Sequence, residues 1–130
     1  MIGTNDLIVD CDMDAIVAGV ITIAEEILRR DERIRRYDAA HVVINSLFPR
    51  VELYDDPLWQ TIQTINSRLE CYAETIEGIE FFNATDLFVS GGQVNKDMFD
   101  ADQIHLSVRG ATLWEEAIVE KALYLKEHAS

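Results

Sequence analysis

His41-Val42-Val43-Ile44-Asn45 is a short run of β-branched apolar residues that stops shortly before Pro49. A run of this length and composition, with no alternation of polar residues, predicts a strand buried on both faces of a parallel sheet. On its N-terminal side, from about Asp12 to Tyr37, apolar residues recur in helical steps of three and four. Ile16, Val17, Val20, Ile21, Ala24, Ile27 and Leu28 form that stripe, with charges between them. Asp10, Asp12 or Asp14 suits its start, where an acidic side chain caps free N–H groups and meets the helix dipole. On the C-terminal side a second helix opens at Asp56-Pro57, because proline in the first turn forfeits no hydrogen bond. Leu58, Ile62, Ile65, Leu69 and Tyr72 make its inward stripe.

Ile79-Glu80-Phe81-Phe82 is a second strand candidate, and the stretch from Asp86 to Gln103 reads mostly as loop, broken at Gly91-Gly92. A last helix follows Ser107, which suits its N-cap, with Trp114, Ala117, Ile118, Lys121, Ala122 and Leu125 on one face. Strands alternating with helices across short connections predict a layered α/β fold around a parallel sheet. Met1-Ile2 is then the stub of a further strand. No repeat, low-complexity tract or Pro/Gly-rich linker divides the chain, so residues 1–130 form one domain or part of one.

Composition bounds the partners. The 130 residues are 48% apolar and 27% charged, as in ordinary globular proteins. A formal net charge of −13 disfavours nucleic-acid backbones and anionic membranes, both of which repel it. The basic group Arg29, Arg30, Arg33, Arg35 and Arg36 is interrupted by Asp31 and Glu32 and reads as a solvated helix end. Cys11 and Cys71 make no disulfide framework. No apolar run reaches the ~18–20 residues that span a bilayer. No basic segment followed by an apolar stretch opens at Met1. His, Cys and carboxylates nowhere gather with metal spacing, and nothing glycine-rich cradles phosphate, so neither metal nor cofactor is expected.

Two short motifs carry chemistry. In Asp102-Gln103-Ile104-His105 the carboxylate and the imidazole are three residues apart and can face the same side of a turn. A carboxylate there holds the imidazole Nδ1–H and leaves Nε2 as a general base. The same spacing also serves a surface pair or a capped helix start. In Gly3-Thr4-Asn5-Asp6, glycine permits a tight turn and the asparagine offers an amide donor at the end of a strand. The carboxyl edge of a parallel sheet is where ligands bind, although a plain turn with an N-cap has the same residues.

Taken in order and spacing, the two motifs resemble those of the SGNH (GDSL-type) hydrolases, especially the platelet-activating-factor acetylhydrolase-like branch. Gly3-Thr4-Asn5-Asp6 is similar to that family's G-x-N-D block. Asp102-x-x-His105-Leu106-Ser107, followed by Gly110 and Trp114, is similar to its D-x-x-H-L block. Val42 to Phe48 with Pro49-Arg50 resembles the family's fourth strand, and Asn66 stands where the next helix often carries asparagine. The resemblance covers essentially the whole chain, as the C-terminal portion of a family member. It implies a flavodoxin-like three-layer α/β/α sandwich with strand order 2-1-3-4-5, to which this chain brings a stub of strand 3 and strands 4 and 5 with their helices.

The resemblance also implies acyl-ester hydrolysis by a Ser-His-Asp triad. His105 would be the base and Asp102 its orienting carboxylate. Asn5 would be an oxyanion donor, Gly3 a backbone hinge and Asp6 a helix cap. The Gly-Asp-Ser block and the second glycine block are expected upstream of Gly3, where this chain holds only Met1 and Ile2; the nucleophile is thus expected to be missing. Ser46 lacks the strained turn that exposes a nucleophile; Ser67, Ser90 and Cys11 carry no such signal, and His41 and His128 read as structural or solvent-facing. An incomplete sheet would leave an open edge prone to self-association, and the isolated chain is expected to be poorly stable. The alternative function is that of a short, non-catalytic binding protein. Lipid, carbohydrate and small-molecule acyl esters all remain open as substrates, as does cellular location.

Overall fold

A computed structural model describes residues 13–31, 42–49, 57–102 and 105–127. Helix α1 (Met13–Asp31) precedes strand β1 (Val42–Asn45); helix α2 (Pro57–Thr75) then leads to strand β2 (Ile79–Phe82). A single helical turn, α3 (Thr85–Phe88), follows, then a small hairpin of β3 (Val89–Ser90) and β4 (Gln93–Val94). A 3-10 turn (Lys96–Met98) and the long helix α4 (Val108–Glu127) complete the order.

β1 and β2 pair in parallel, from Val42 opposite Ile79 to Asn45 opposite Phe82. Their crossover is α2, as a parallel pair requires. Successive residues then point to opposite faces. Val42, Ile44, Ile79 and Phe81 pack with α1 and α2, in a core centred on Ile16, Val17, Ala24, Leu47, Trp59, Ile62, Ile65, Leu69 and Ala73. Asn45 and Glu80 point the other way and meet α4, through Trp114 and Lys121 respectively. The arrangement is two helices, a parallel sheet and a helix: three layers.

The inward stripe of α2 is where the spacing put it, with Ile62, Ile65 and Leu69 essentially buried. Tyr72 is half-buried, and its hydroxyl donates to Glu25 of α1 at 2.6 Å. Burial first, and then the Glu25 carboxylate, push this phenol up to about 12, so it remains a donor throughout the ordinary pH range. Two expectations are corrected. Ile27 is 45% exposed, because it shares with Ile23 the edge of the α1 stripe rather than its centre. Val43 is 39% exposed, so β1 is closed on one face only; its other face is covered thinly by α4.

The stretch after Asp86 is also more ordered than a loop. Gly91 and Gly92 both have positive φ (60° and 76°), the conformation of a two-residue hairpin turn whose twist matches the strands it joins. Val89 pairs with Val94 and Ser90 with Gln93 across it. The α3 turn and the hairpin bring Phe88 and Val94 respectively into a second core with Phe48, Phe82, Ala84, Met98 and Phe99, beyond the carboxyl ends of the strands.

The turn after β1 is fastened by side chains. Ser46 is fully buried, and its hydroxyl accepts the Ala84 N–H at 2.9 Å. Asn66, inside the apolar stripe of α2, accepts the Leu47 N–H at 2.8 Å and donates to the Leu47 carbonyl at 3.3 Å. Thr85 donates to the same carbonyl at 3.2 Å. Asn66→Ala strips the Leu47 N–H of this partner at a buried residue, which costs about 1–3 kcal/mol. The expected fall in Tm is about 5–10 °C, read by circular dichroism; an unchanged Tm would refute the latch.

Candidate active site

The segment between the 3-10 turn and α4 is a closed loop with a short β-like base. Phe99 and Leu106 form an antiparallel bridge, the Asp100 N–H donates to the His105 carbonyl at 2.8 Å, and the Ser107 N–H donates to the Met98 carbonyl at 2.9 Å. Asp102 and His105 project from this loop. One carboxylate oxygen of Asp102 accepts the His105 backbone N–H at 3.0 Å, and the other lies 2.5 Å from His105 Nδ1. An ionised carboxylate only accepts, so Nδ1 is the nitrogen that donates to it, and in a neutral ring Nε2 is then the acceptor. The imidazole is three-quarters exposed, so Nε2 is open to a reacting group.

The loop is held from both ends. Ser107 is the N-cap of α4, as its sequence position predicts: its hydroxyl accepts the Gly110 N–H at 3.1 Å and donates to the Asp97 carbonyl at 2.8 Å. Gly110 lies directly against the 3-10 turn, where a Cβ would stand 2.0 Å from the Met98 oxygen. Beneath the loop runs a chain of edge-on aromatic rings: Trp114 to Phe48 (5.2 Å), Phe48 to Phe88 (5.2 Å) and Phe88 to Phe99 (5.7 Å). The Trp114 indole N–H donates to the Asn45 side-chain oxygen at 2.9 Å, while the Asn45 amide donates to the Ser46 carbonyl at 2.7 Å.

Of the residues singled out in the sequence, Asp102 and His105 are thus brought together. Gly3, Asn5 and Asp6, with Cys11, His41 and His128, lie outside the described residues. Cys71 is an exposed free thiol. Among the described residues no three His, Cys, Asp or Glu side chains gather as metal ligands, and no helix is long and apolar enough to cross a membrane. Asn45 was not picked out by sequence reading as a partner of Trp114. A polar residue ending an apolar strand was its only local signal. Asn66 had a stronger one, since an amide inside an apolar helical stripe needs buried partners.

The three layers, with a histidine loop at the carboxyl edge of the sheet, make an α/β/α fold. Residues 1–113 match the GDSL-like lipase/acylhydrolase family, and the chain belongs to it. It is also similar in structure to a candidate platelet activating factor from Streptococcus pneumonia, with a TM-score of 0.70 and 22% sequence identity. The likeness covers 93% of this chain and 56% of the other, so the chain spans little more than half the length of that relative. Among curated proteins nothing matches significantly.

Proposed function

We propose that this chain supplies the Asp–His half of a Ser-His-Asp acyl-ester hydrolase. The observation that carries the reading is the double grip of Asp102 on His105, through the backbone N–H and through Nδ1. It fixes both the orientation and the tautomer of the ring. His105 Nε2 takes the proton of a serine hydroxyl as that oxygen attacks the ester carbonyl, and returns it to the leaving alcohol. Asp102 stabilises the imidazolium in between. Asn5, with Gly3 and Asp6 in support, donates to the oxyanion; a donor of this kind is worth about 10²–10³ in kcat. The serine and the other oxyanion donors come from outside the 130 residues of this chain. The substrate is an acyl ester of a lipid, sugar or small molecule.

The test is a comparison of this chain with a longer form that includes the upstream segment. Only the longer form is expected to be labelled by a fluorophosphonate probe and to hydrolyse p-nitrophenyl acetate. Labelling of the 130-residue chain at one of its own serines would overturn the assignment of the nucleophile.

A further inference from the structure

We propose that Asn45 and Trp114 are a positioning pair that sets where the His105 loop stands over the carboxyl edge of the sheet. The inference rests on the reading of His105 as general base, but its geometry is independent of that reading. Helix α4 begins at Val108, three residues after His105, and its cap Ser107 is hydrogen-bonded into the base of the loop. A slide or roll of α4 therefore carries His105 with it. The apolar grip on α4 is uneven. Gly110 and Leu125 are its buried residues, Leu113 and Trp114 are partly buried against the second core, and Val108, Val119, Leu123 and Tyr124 are exposed. Beside that apolar contact stands a directional tie to the sheet: the indole N–H on the side-chain oxygen of Asn45, the last residue of β1. The Asn45 amide is committed to the Ser46 carbonyl, which leaves its oxygen turned towards the indole. The next polar tie, Lys121 to Glu80, is two turns further along and longer, at 3.9 Å.

Trp114 also reaches the loop by a second route. Its ring abuts Phe48, then Phe88, then Phe99, and Phe99 is the residue bridged to Leu106 at the foot of the loop. Loss of the indole N–H leaves this ring chain in place but frees the helix to shift. A general base displaced by about 1 Å loses about 10²-fold in rate, so a link that matters little to folding matters to turnover.

The experiment has two arms. In the nucleophile-bearing form, Trp114→Phe and Asn45→Ala are each expected to lower kcat about 10–100-fold, with KM and Tm little changed. The double variant is expected to be no worse than the poorer single one, as for two halves of one contact. Asn45→Asp, which still accepts from the indole, should stay nearer the wild type than Asn45→Ala. In the 130-residue chain, ¹H–¹⁵N spectra should show the loop amides of Asp100, His105 and Ser107 displaced in Trp114→Phe, while the imidazole ¹⁵N shifts keep the Nδ1–H tautomer that Asp102 sets. An unaltered kcat with unmoved loop amides, or a loss of activity that follows the loss of folded protein, would overturn the pair. If instead His105→Ala leaves hydrolysis intact, the assignment of the base falls, and the ¹⁵N arm still decides the positioning pair.

Discussion

His105→Ala, in a form of the protein that carries the nucleophile, is expected to lower kcat about 10⁶-fold while KM barely moves. Asp102→Asn is expected to lower it about 10⁴-fold. The second figure follows from the double grip. An asparagine at 102 can keep its oxygen on the His105 backbone N–H, so the loop retains its shape. Its amide nitrogen, however, then faces Nδ1 as a donor where the carboxylate was an acceptor. The ring must turn its lone pair to that donor and carry its proton on Nε2, which removes the base. Both variants should fold as the wild type does, because the two side chains are substantially exposed. Steady-state hydrolysis of p-nitrophenyl acetate, with Tm recorded alongside, decides the matter. A loss of less than about ten-fold in both variants would remove Asp102 and His105 from the chemistry.

Gly110→Ala is expected to be the most damaging small substitution in the described fold. The added methyl would lie 2.0 Å from the Met98 oxygen and 2.9 Å from its carbonyl carbon, and both are backbone atoms that no rotamer change can move aside. The same oxygen accepts the Ser107 N–H at the foot of the histidine loop. Relief of the clash therefore means parting α4 from the 3-10 turn, at a cost of about 3 kcal/mol or more. That corresponds to a Tm lower by about 10 °C or more. Gly19→Ala is the control with the opposite sign. Nothing lies within 4 Å of a Cβ there, and alanine in a helix interior gains about 1 kcal/mol over glycine. Equal Tm values for the two variants would show that Gly110 is not a contact point.

Much of this fold was legible in local pattern. The β-branched run at Val42–Asn45, the proline at the start of α2 and the three-and-four spacing of Ile62, Ile65 and Leu69 each reflect a constraint that acts over a few residues. Asp102 and His105 were legible for the same reason, since their partnership closes within one turn of chain. What escaped depended on distance in sequence. The exposure of Val43 is decided by how thinly α4, more than sixty residues later, covers the sheet. The Asn45–Trp114 bond spans 69 residues and had no local trace beyond a polar residue at a strand end. The hairpin at Gly91-Gly92 is a different case. Two glycines between Val-Ser and Gln-Val are a local signal for a tight turn, and reading the segment as loop gave that signal too little weight.

The Asp102–His105 clasp closes a ring of only four residues, so very little chain entropy opposes it. It belongs among the low-contact-order parts of the molecule, which assemble early and do not wait for the sheet. In the proposed triad, alignment of that imidazole with a serine on a distant strand has the reverse character. It collects its entropic penalty across much of a domain and arrives only with the completed fold. The orientation of the imidazole and the competence of the proposed triad are thus separate thermodynamic events. Mutations that loosen the sheet should therefore extinguish turnover well before they disturb the histidine's own proton.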